Sequence, residues 1–307
     1  MCQCQIPQCG SADGTIAIPI VLNREDSMTP DSEFVHEYAN VLGVNVSALD
    51  LDRAVEMADR WIAGKNRGYI CVTGVHGVME AQSDSELLRI LNNAFINTPD
   101  GMPMSWVGHL QGFSKMDRVY GPDFMASLCQ RSVERNYRHF LYGGESGVAV
   151  LLKQNLENSF PGIQIVGTYT PPFRDLTAEE EKQISCQLRE LQPHILWVGL
   201  STPKQERFMA RYLDRLQVPL MVGVGAAFDY HTGRISDCPN WIKRAGLQWL
   251  HRLLQDPRRL WKRYLKNNPA FIWKISLQLF KLRQYPDPAN PPADKKKQDG
   301  DNVLTRA

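Results

Sequence analysis

The chain has 307 residues, of which 43% are hydrophobic and 22% are charged, as in a soluble globular protein of one large or two medium domains. No stretch approaches the ~18 uninterrupted apolar residues of a spanning helix, and no secretory signal is recognisable, so we expect a cytoplasmic protein. The seven cysteines include no CxxC pair, and Cys2, Cys4 and Cys9 are expected to be free thiols on a mobile tail.

Apolar runs of strand length alternate with helical patterns, which predicts an α/β protein with a mostly parallel sheet of Rossmann-like βα units. The predicted strands are Tyr69–Thr73, His139–Tyr142, Ile163–Val166, Ile195–Leu200 and Pro219–Val224. The predicted helices lie near Leu51–Ala63, Ser83–Ala94, Asp123–Arg135, Gly147–Asn158, Ala178–Leu191 and Lys204–Leu216. Residues 34–240 are expected to form the α/β domain, with a mobile tail at 1–33 and a disordered tail at 286–307.

A polar turn and a basic residue follow the second predicted helix. The stretch 98–103, Thr-Pro-Asp-Gly-Met-Pro, is predicted to be a turn, because Asp-Gly tolerates positive φ and the prolines disfavour regular structure. Arg118 comes shortly before a predicted helix start. Its guanidinium could clamp a phosphate through two hydrogen bonds, and a surface salt bridge is the alternative.

Two glycine-rich stretches follow predicted strands. Gly143 and Gly144 could let the backbone approach a phosphate or sugar, although each is explained equally well by a tight turn. Gly223 and Gly225 begin an incomplete dinucleotide fingerprint, with Phe228 where the third glycine belongs and no acid at the expected offset of ~20 residues. The second stretch therefore gives little support to a dinucleotide-binding enzyme.

The strand Ile195–Leu200 passes directly into a predicted helix start. Thr202 is expected to be the N-cap, Pro203 the first helical residue and Gln205 the capping-box partner. The free N–H groups there and the charge of Lys204 would favour an anionic ligand. A capped helix without a ligand is the alternative.

The basic segment, residues 241–285, carries eleven Lys or Arg residues against one Asp, a net charge of +10. Aromatic residues are interspersed through it, and Phe271, Ile275, Leu279 and Leu282 recur at helical spacing. We favour docking on an anionic membrane surface. Packing of the apolar stripe on the parent domain is the second interpretation, and nucleic-acid binding is the third.

A set of short motifs between about Leu42 and Phe271 resembles, in its order along the chain, the WecG/TagA/CpsF family of glycosyltransferases. The resemblance rests on Pro99-Asp100-Gly101, Arg118-Val119-Tyr120-Gly121, Gly143-Gly144, Phe160-Pro161-Gly162 with Gly167, Pro171-Pro172-Phe173, Val198-Gly199-Leu200, Pro203-Lys204-Gln205-Glu206, Gly223 to Asp229 with Gly233, Trp249 with Arg252-Leu253, Pro257-Arg258-Arg259 and Tyr264-Leu265. An ordered set of this length is a specific signal.

The resemblance implies an inverting transferase that moves a hexose-type sugar from a UDP-sugar to a polyprenyl-diphosphate-linked sugar at the cytoplasmic membrane. In the best-known members the donor is UDP-N-acetylmannosamine. It further implies an unusual α/β glycosyltransferase fold, no metal or other cofactor, and a basic C-terminal appendage that docks on the membrane and helps close the active site. A homo-oligomer is compatible with it, and nucleic acid is not an expected partner.

The resemblance also assigns roles to single residues. Asp100 resembles the family's catalytic base, Arg118 and Gln205 its donor- or acceptor-binding positions, and Asp229 another pocket position. Thr73 begins a motif that reads Thr-x-Asn-x-Glu in many members.

Two positions of this sequence depart from the family's pattern. Val75 stands at the Asn position of that first motif, and Gln248 replaces a Glu that is common before the C-terminal Trp. The first departure puts N-acetylmannosamine specificity in question, although His76 could supply a polar group there.

Departure of a diphosphate requires positive charge at the leaving group. No Asp-x-Asp motif follows a strand, since Asp50-Leu51-Asp52 opens a helix. The expected substitutes for a metal ion are the basic side chains Arg118, Lys204, Arg258, Arg259 and Arg263. Two rival functions remain open: another nucleotide-dependent enzyme, and a non-catalytic partner in a membrane-associated polysaccharide-assembly complex.

Overall fold

A computed structural model describes residues 36–286. The predicted tail at 1–33 and all of the predicted tail at 286–307 except Pro286 lie outside the described residues. The strands are β1 (Tyr38–Val41), β2 (Val44–Ser47), β3 (Gly68–Thr73), β4 (Ile96–Pro99), β5 (Arg138–Gly143), β6 (Gln164–Tyr169), β7 (Ile195–Gly199) and β8 (Leu220–Gly223). The helices are α1 (Leu51–Ala63), α2 (Val75–Ala81), α3 (Ser85–Asn92), α4 (Met102–Leu110), α5 (Gly121–Arg135), α6 (Val148–Ser159), α7 (Ala178–Leu191), α8 (Lys204–Leu216), α9 (Ala227–His231), α10 (Asn240–Arg244), α11 (Gln248–Gln255) and α12 (Pro257–Leu279).

Six parallel strands form the central sheet in the order β4-β3-β8-β7-β5-β6, and β1 and β2 form an antiparallel hairpin. The central strand β7 shows why both faces of the sheet are covered. Ile195 and Trp197 enter one hydrophobic cluster, while Leu196 and Val198 enter the other. This alternation buries an entirely apolar strand between two helical layers. The predicted α/β fold with a parallel sheet and C-terminal helices is confirmed.

The carboxyl ends of the parallel strands meet at one edge of the sheet, which we call the carboxyl edge. The connection from β5 runs to the edge strand β6, whereas the connection from β7 runs in the opposite direction, to β8. The direction of the connections therefore reverses between the neighbouring strands β5 and β7. Open α/β sheets bind ligands at such a reversal, outside the carboxyl ends of the strands. The fold therefore favours a ligand site at this edge.

The five predicted strands are found as β3 and β5–β8, and α1, α7 and α8 have the predicted bounds. The predicted turn at 98–103 is wrong except for its centre. Thr98 and Pro99 complete β4, and Met102 begins α4. β4 tolerates Pro99 because it is an edge strand that pairs only with β3. Pro103 lies in the first turn of α4, where a missing N–H costs no helical bond.

The predicted N-cap of α8 is also wrong. Pro203 occupies the cap position, and no side chain caps the helix. The Thr202 hydroxyl instead donates to the Glu206 side chain at 2.8 Å, and the Gln205 amide does the same at 3.0 Å. The Gln205 N–H donates to the Ser201 carbonyl at 3.1 Å rather than to Thr202, so the capping box does not form.

The apolar stripe of the basic segment packs on the α/β domain. Phe271 and Ile275 of α12 are buried in the same cluster as β1 and β2, and Leu279 packs partly against it. Gln278 adds a hydrogen bond from its amide to the Asn40 carbonyl at 2.7 Å. The second interpretation is thus the observed one for this stripe, except at the exposed Leu282.

Candidate active site

Asp100 lies at the carboxyl edge, in the short turn between β4 and α4. Its backbone N–H donates to the Thr73 carbonyl at 3.0 Å, which ties the turn to the end of β3. Gly74 allows this close approach, since a Cβ there would lie 3.0 Å from the Asp100 carbonyl oxygen and 3.5 Å from Oδ2. Burial raises the pKa of the Asp100 carboxyl, against the opposing charges of Arg118 and Arg252. The carboxyl group therefore lies within the electrostatic influence of two arginines.

Arg118 connects the α/β domain to the basic segment. Its guanidinium donates to Gln248 on α11 at 3.0 Å and to Asp123 at 3.4 Å, and it lies 4.7 Å from the ring centroid of Tyr120. The salt bridge considered from the sequence exists, but the Arg118 side chain is only 12% exposed. Arg118 is thus a fixed, desolvated cation beside Asp100 rather than a surface charge.

A second, half-buried cation comes from the basic segment itself. The Arg252 guanidinium lies 5.7 Å from the ring centroid of Tyr230, and Tyr230 packs edge-on against Tyr120 at 5.5 Å. Within residues 36–286, the buried Arg252 Nε has no hydrogen-bond partner. Aromatic faces stabilise a guanidinium without occupying its N–H groups. Arg252 therefore has a donor without a partner within the described residues, and its charge acts on Asp100.

Lys243 fixes the first helix of the basic segment against the same aromatic pair. It is buried, forms an ion pair with Asp237, and its Nζ lies 5.3 Å from the Tyr120 ring centroid. Tyr120 therefore has cations from both the α/β domain and the basic segment around its ring. This arrangement holds α10 close to Arg118.

Asp229 lies in α9, after the end of β8. Its carboxylate is 3.3 Å from Arg234 Nε, and the charges of Arg252 and Arg259 also act on it. Burial raises its pKa, and Arg234 opposes that rise. Asp229 and Asp100 thus both lie near Arg252, on different elements of the carboxyl edge.

The other predicted basic residues differ in burial. Arg263 is half-buried, and burial lowers its pKa. Arg259 is exposed and paired with Asp256, while Arg258 and Lys204 are exposed. Of these four, Arg263 has the environment closest to that of Arg252.

Gly143 and Gly144 lie at the reversal between β5 and β7. Gly143 has φ +125°, and a Cβ there would lie 2.5 Å from the Gly199 carbonyl oxygen. The Gly144 N–H donates to that oxygen at 3.0 Å. Close packing of the strand ends thus requires glycine at 143, and ligand binding by this pair stays a prediction.

Thr73, Gln205 and His76 lie at or just beyond strand ends on the same edge. The buried Thr73 hydroxyl bonds to the Asn97 side chain, and Gln205 is buried at the start of α8. His76 bonds to Asn267 of α12 at 3.1 Å, and burial lowers its pKa to about 4, so it is neutral at pH 7. The polar group expected at His76 is therefore engaged with the basic segment.

Sequence reasoning did not assign a site role to Tyr120, Tyr230, Lys243 or Arg252. A usable signal was present for Arg252, since Gln248 and Arg252 are four residues apart and share one face of α11. Within the described part of the chain, no three His, Cys, Asp or Glu residues are grouped to hold a metal ion. No helix within that part is long and apolar enough to cross a bilayer.

Cations on aromatic faces, a desolvated carboxyl and glycine-lined strand ends at the carboxyl edge define an α/β protein whose site suits a phosphate-bearing ligand. The description "Glycosyl transferase WecG/TagA/CpsF family" belongs to a family model that matches residues 39–285, and the chain belongs to this family.

Two relatives carry the name N-acetylglucosaminyldiphosphoundecaprenol N-acetyl-beta-D-mannosaminyltransferase. The one from Bacillus spizizenii is 28% identical over 212 residues, which cover 69% of this chain and 80% of the relative. The one from Bacillus subtilis is 26% identical over 208 residues, which cover 68% and 79%.

Proposed function

We propose that this protein is an inverting glycosyltransferase that moves a hexose-type sugar from a UDP-sugar to a polyprenyl-diphosphate-linked sugar during synthesis of a bacterial surface glycan. UDP-N-acetylmannosamine is the first donor to test, because the relatives are named N-acetylmannosaminyltransferases. The observation that carries the proposal is the buried Asp100 carboxyl at the carboxyl edge, on which the charges of Arg118 and Arg252 act.

Inversion requires a base opposite the leaving group. Asp100 would take the proton from the acceptor hydroxyl while that oxygen attacks the anomeric carbon. The bond to the diphosphate breaks as the new glycosidic bond forms. The raised pKa of Asp100 supports this role because it brings the base closer to neutral pH.

The departing UDP gains negative charge, which the protein must stabilise. Arg118 and Arg252 are desolvated and already oriented, so they require little reorganisation during the reaction. Arg263 lies on the same side of the basic segment and would add a third charge. Lys204, Arg258 and Arg259 are exposed and would contribute less. A metal ion is not needed in this scheme, because these cations would balance the charge of the diphosphate.

The acceptor is a lipid, and the basic segment offers a surface for a membrane. Its exposed aromatic and aliphatic side chains include Trp241, Trp261, Leu265, Ile272 and Trp273. Basic residues surround them, as expected for peripheral binding to anionic lipid. We infer a location on the inner face of the cytoplasmic membrane.

The rival functions make different predictions for one assay. UDP-sugars would be incubated with synthetic polyprenyl-diphosphate N-acetylglucosamine, and transfer and anomeric configuration would be followed by NMR. We expect transfer with inversion. Retention would contradict the role of Asp100. No transfer with any UDP-sugar, together with no UDP binding, would favour the non-catalytic partner, and NAD binding without UDP binding would favour another nucleotide-dependent enzyme.

A further inference from the structure

A buried polar pair lies at the start of α8, where the resemblance gives Gln205 a binding role but gives Glu206 none. Gln205 is 2% exposed and Glu206 is 1% exposed. Glu206 Oε1 accepts hydrogen bonds from the Thr202 hydroxyl and from Gln205 Nε2. Within residues 36–286, Gln205 Oε1 and Glu206 Oε2 have no partner. Buried acceptors are normally satisfied, so these two oxygens require an explanation.

The bond between the two side chains fixes the orientation of the Gln205 amide. Because Nε2 donates to Glu206, the carbonyl oxygen must face away from Glu206. Burial raises the pKa of Glu206, and the nearby Cys71 thiol from β3 is also buried. Oε1 of Glu206 accepts from both donors, so Glu206 acts on Gln205 through a hydrogen bond.

The carbonyl oxygen of Gln205 lies beside the position that a Cβ on Gly225 would fill, at the carboxyl edge. We call this position the gap. Gly225 follows β8, and a Cβ on it would lie 3.5 Å from Gln205 Oε1 and 4.0 Å from the Cα of Ser201. Ser201 is exposed and follows β7. The unpartnered acceptor therefore faces space beside two neighbouring strand ends, in the region where the fold favours a ligand.

We propose that Glu206 is a positioning residue that holds the Gln205 amide, so that Gln205 Oε1 accepts a hydrogen bond from an N–H or O–H group of the sugar nucleotide in the gap beside Gly225. This inference rests on the proposed function, since the ligand is its donor substrate. It makes Glu206 and Gly225 determinants of donor binding, although neither contributes a charge to the reaction.

Two substitutions of Glu206 separate orientation from charge. Glu206→Met removes the acceptor and frees the Gln205 amide, so we expect the KM for the UDP-sugar to rise about tenfold while kcat changes less than about threefold. Glu206→Gln keeps a carbonyl for the same two donors and should restore the KM to within about threefold of the original. An unchanged KM in Glu206→Met, or equal KM values in the two variants, would overturn the proposal.

Two glycine substitutions test the gap. Gly225 and Gly233 both have positive φ, +51° and +71°, so an alanine strains the backbone at either position. The new Cβ enters the gap at 225, whereas it meets nothing within 4 Å at 233. Gly225→Ala should raise the KM about tenfold and Gly233→Ala should leave it unchanged. Equal effects at the two positions would rule out the gap as a binding site.

A spectroscopic measurement keeps this inference distinct from the proposed function. In the full-length protein labelled with ¹⁵N-glutamine, the Gln205 amide would be assigned as the signal missing in Gln205→Met. We expect slow exchange of this NH₂ with water, and faster exchange in Glu206→Met. Exchange as fast as that of exposed glutamines in the unsubstituted protein would refute the fixed orientation, whether or not glycosyl transfer is found.

Discussion

The two faces of the basic segment have similar composition but different surroundings. On the inner face, Phe271 is 4% exposed and Arg252 lies against Tyr230 beside the candidate base. On the outer face, Ile272 and Trp273 are 63% and 67% exposed, although they directly follow Phe271 in sequence. The face of the segment therefore decides whether an aromatic or basic residue packs against the α/β domain or lies at the surface.

This difference changes how the segment should be tested. Deleting everything from Trp241 onward would remove Arg252 from the site and Phe271 from the core, as well as the outer aromatics. Loss of membrane binding in such a variant could then reflect unfolding. Single-face substitutions separate the two contributions.

The largest effect is expected at Asp100, the candidate base near Arg252 of the inner face. Asp100→Asn keeps the size of the side chain and removes its basicity, so turnover should fall by roughly 10²–10⁴-fold. UDP affinity, measured by calorimetry, and thermal stability should change little. A folded variant with near-normal transfer would contradict the assignment and would direct attention to Asp229.

The pH profile provides a control for that role. The base must be deprotonated, and burial raises the Asp100 pKa above the usual value of about 3.9. Turnover should therefore fall as the pH is lowered through this raised pKa. The residual activity of Asp100→Asn should lack this acidic limb. The same limb in both proteins would assign it to another group.

The next largest effect is expected from the inner-face cation. Arg252→Gln removes the positive charge that would stabilise the departing diphosphate. We therefore expect kcat to fall by about 10²-fold, as for other preorganised stabilising groups. Arg252→Lys should recover part of this loss. Arg244→Gln is the matched control, since Arg244 is exposed in the same segment. Equal turnover in the two Gln variants would disprove a special role for the inner face.

A smaller effect, on membrane binding, is expected from basic residues near the outer face. Replacing Lys274, Lys281 and Arg283 together with Gln should lower binding to anionic vesicles at least about tenfold, because each charge near lipid contributes ~1 kcal/mol. Binding of the unsubstituted protein should weaken with salt. The control variant replaces Lys65, Lys182 and Arg189, which are exposed elsewhere and change the net charge equally. Equal binding by both triple variants would contradict membrane docking by this segment.

The smallest effect is expected from removing metal ions. Because Arg118 and Arg252 would balance the diphosphate, excess EDTA should change the transfer rate less than about twofold. The rate would be measured with a water-soluble short-chain acceptor, so that vesicle effects do not contribute. Complete loss of transfer in EDTA, restored by Mg²⁺ or Mn²⁺, would show that Arg118 and Arg252 do not balance the charge of the diphosphate on their own.

Much of the fold is predictable because local signals agree with the final packing. α1 begins at the Asp50 cap, and α7 begins with a Thr177–Glu180 capping box. β4 was missed because it has only four residues and includes the polar Asn97, whose amide is satisfied by backbone carbonyls in the fold. α4 was missed because prolines and apolar residues on all sides obscure its period.

The site is predictable only in part for a similar reason. Asp100 and Arg118 stand in recognisable short motifs, and the structure brings them together. Arg252 and Arg258 belong to the same basic run, yet Arg252 in α11 is half-buried and Arg258 in α12 is exposed. Glu206 looks like a surface residue in the sequence, yet it is buried against Gln205. Such differences arise from tertiary packing, which spacing along one chain does not encode.

The most direct test measures turnover and membrane binding side by side in Arg252→Gln and in the triple Lys274, Lys281 and Arg283 variant. Turnover would be followed with the short-chain acceptor, and binding with anionic vesicles. We expect Arg252→Gln to lose turnover and keep vesicle binding, and the triple variant to do the reverse. Loss of both properties in each variant, or normal turnover in Arg252→Gln, would contradict the division of the basic segment into a catalytic inner face and a membrane-binding outer face.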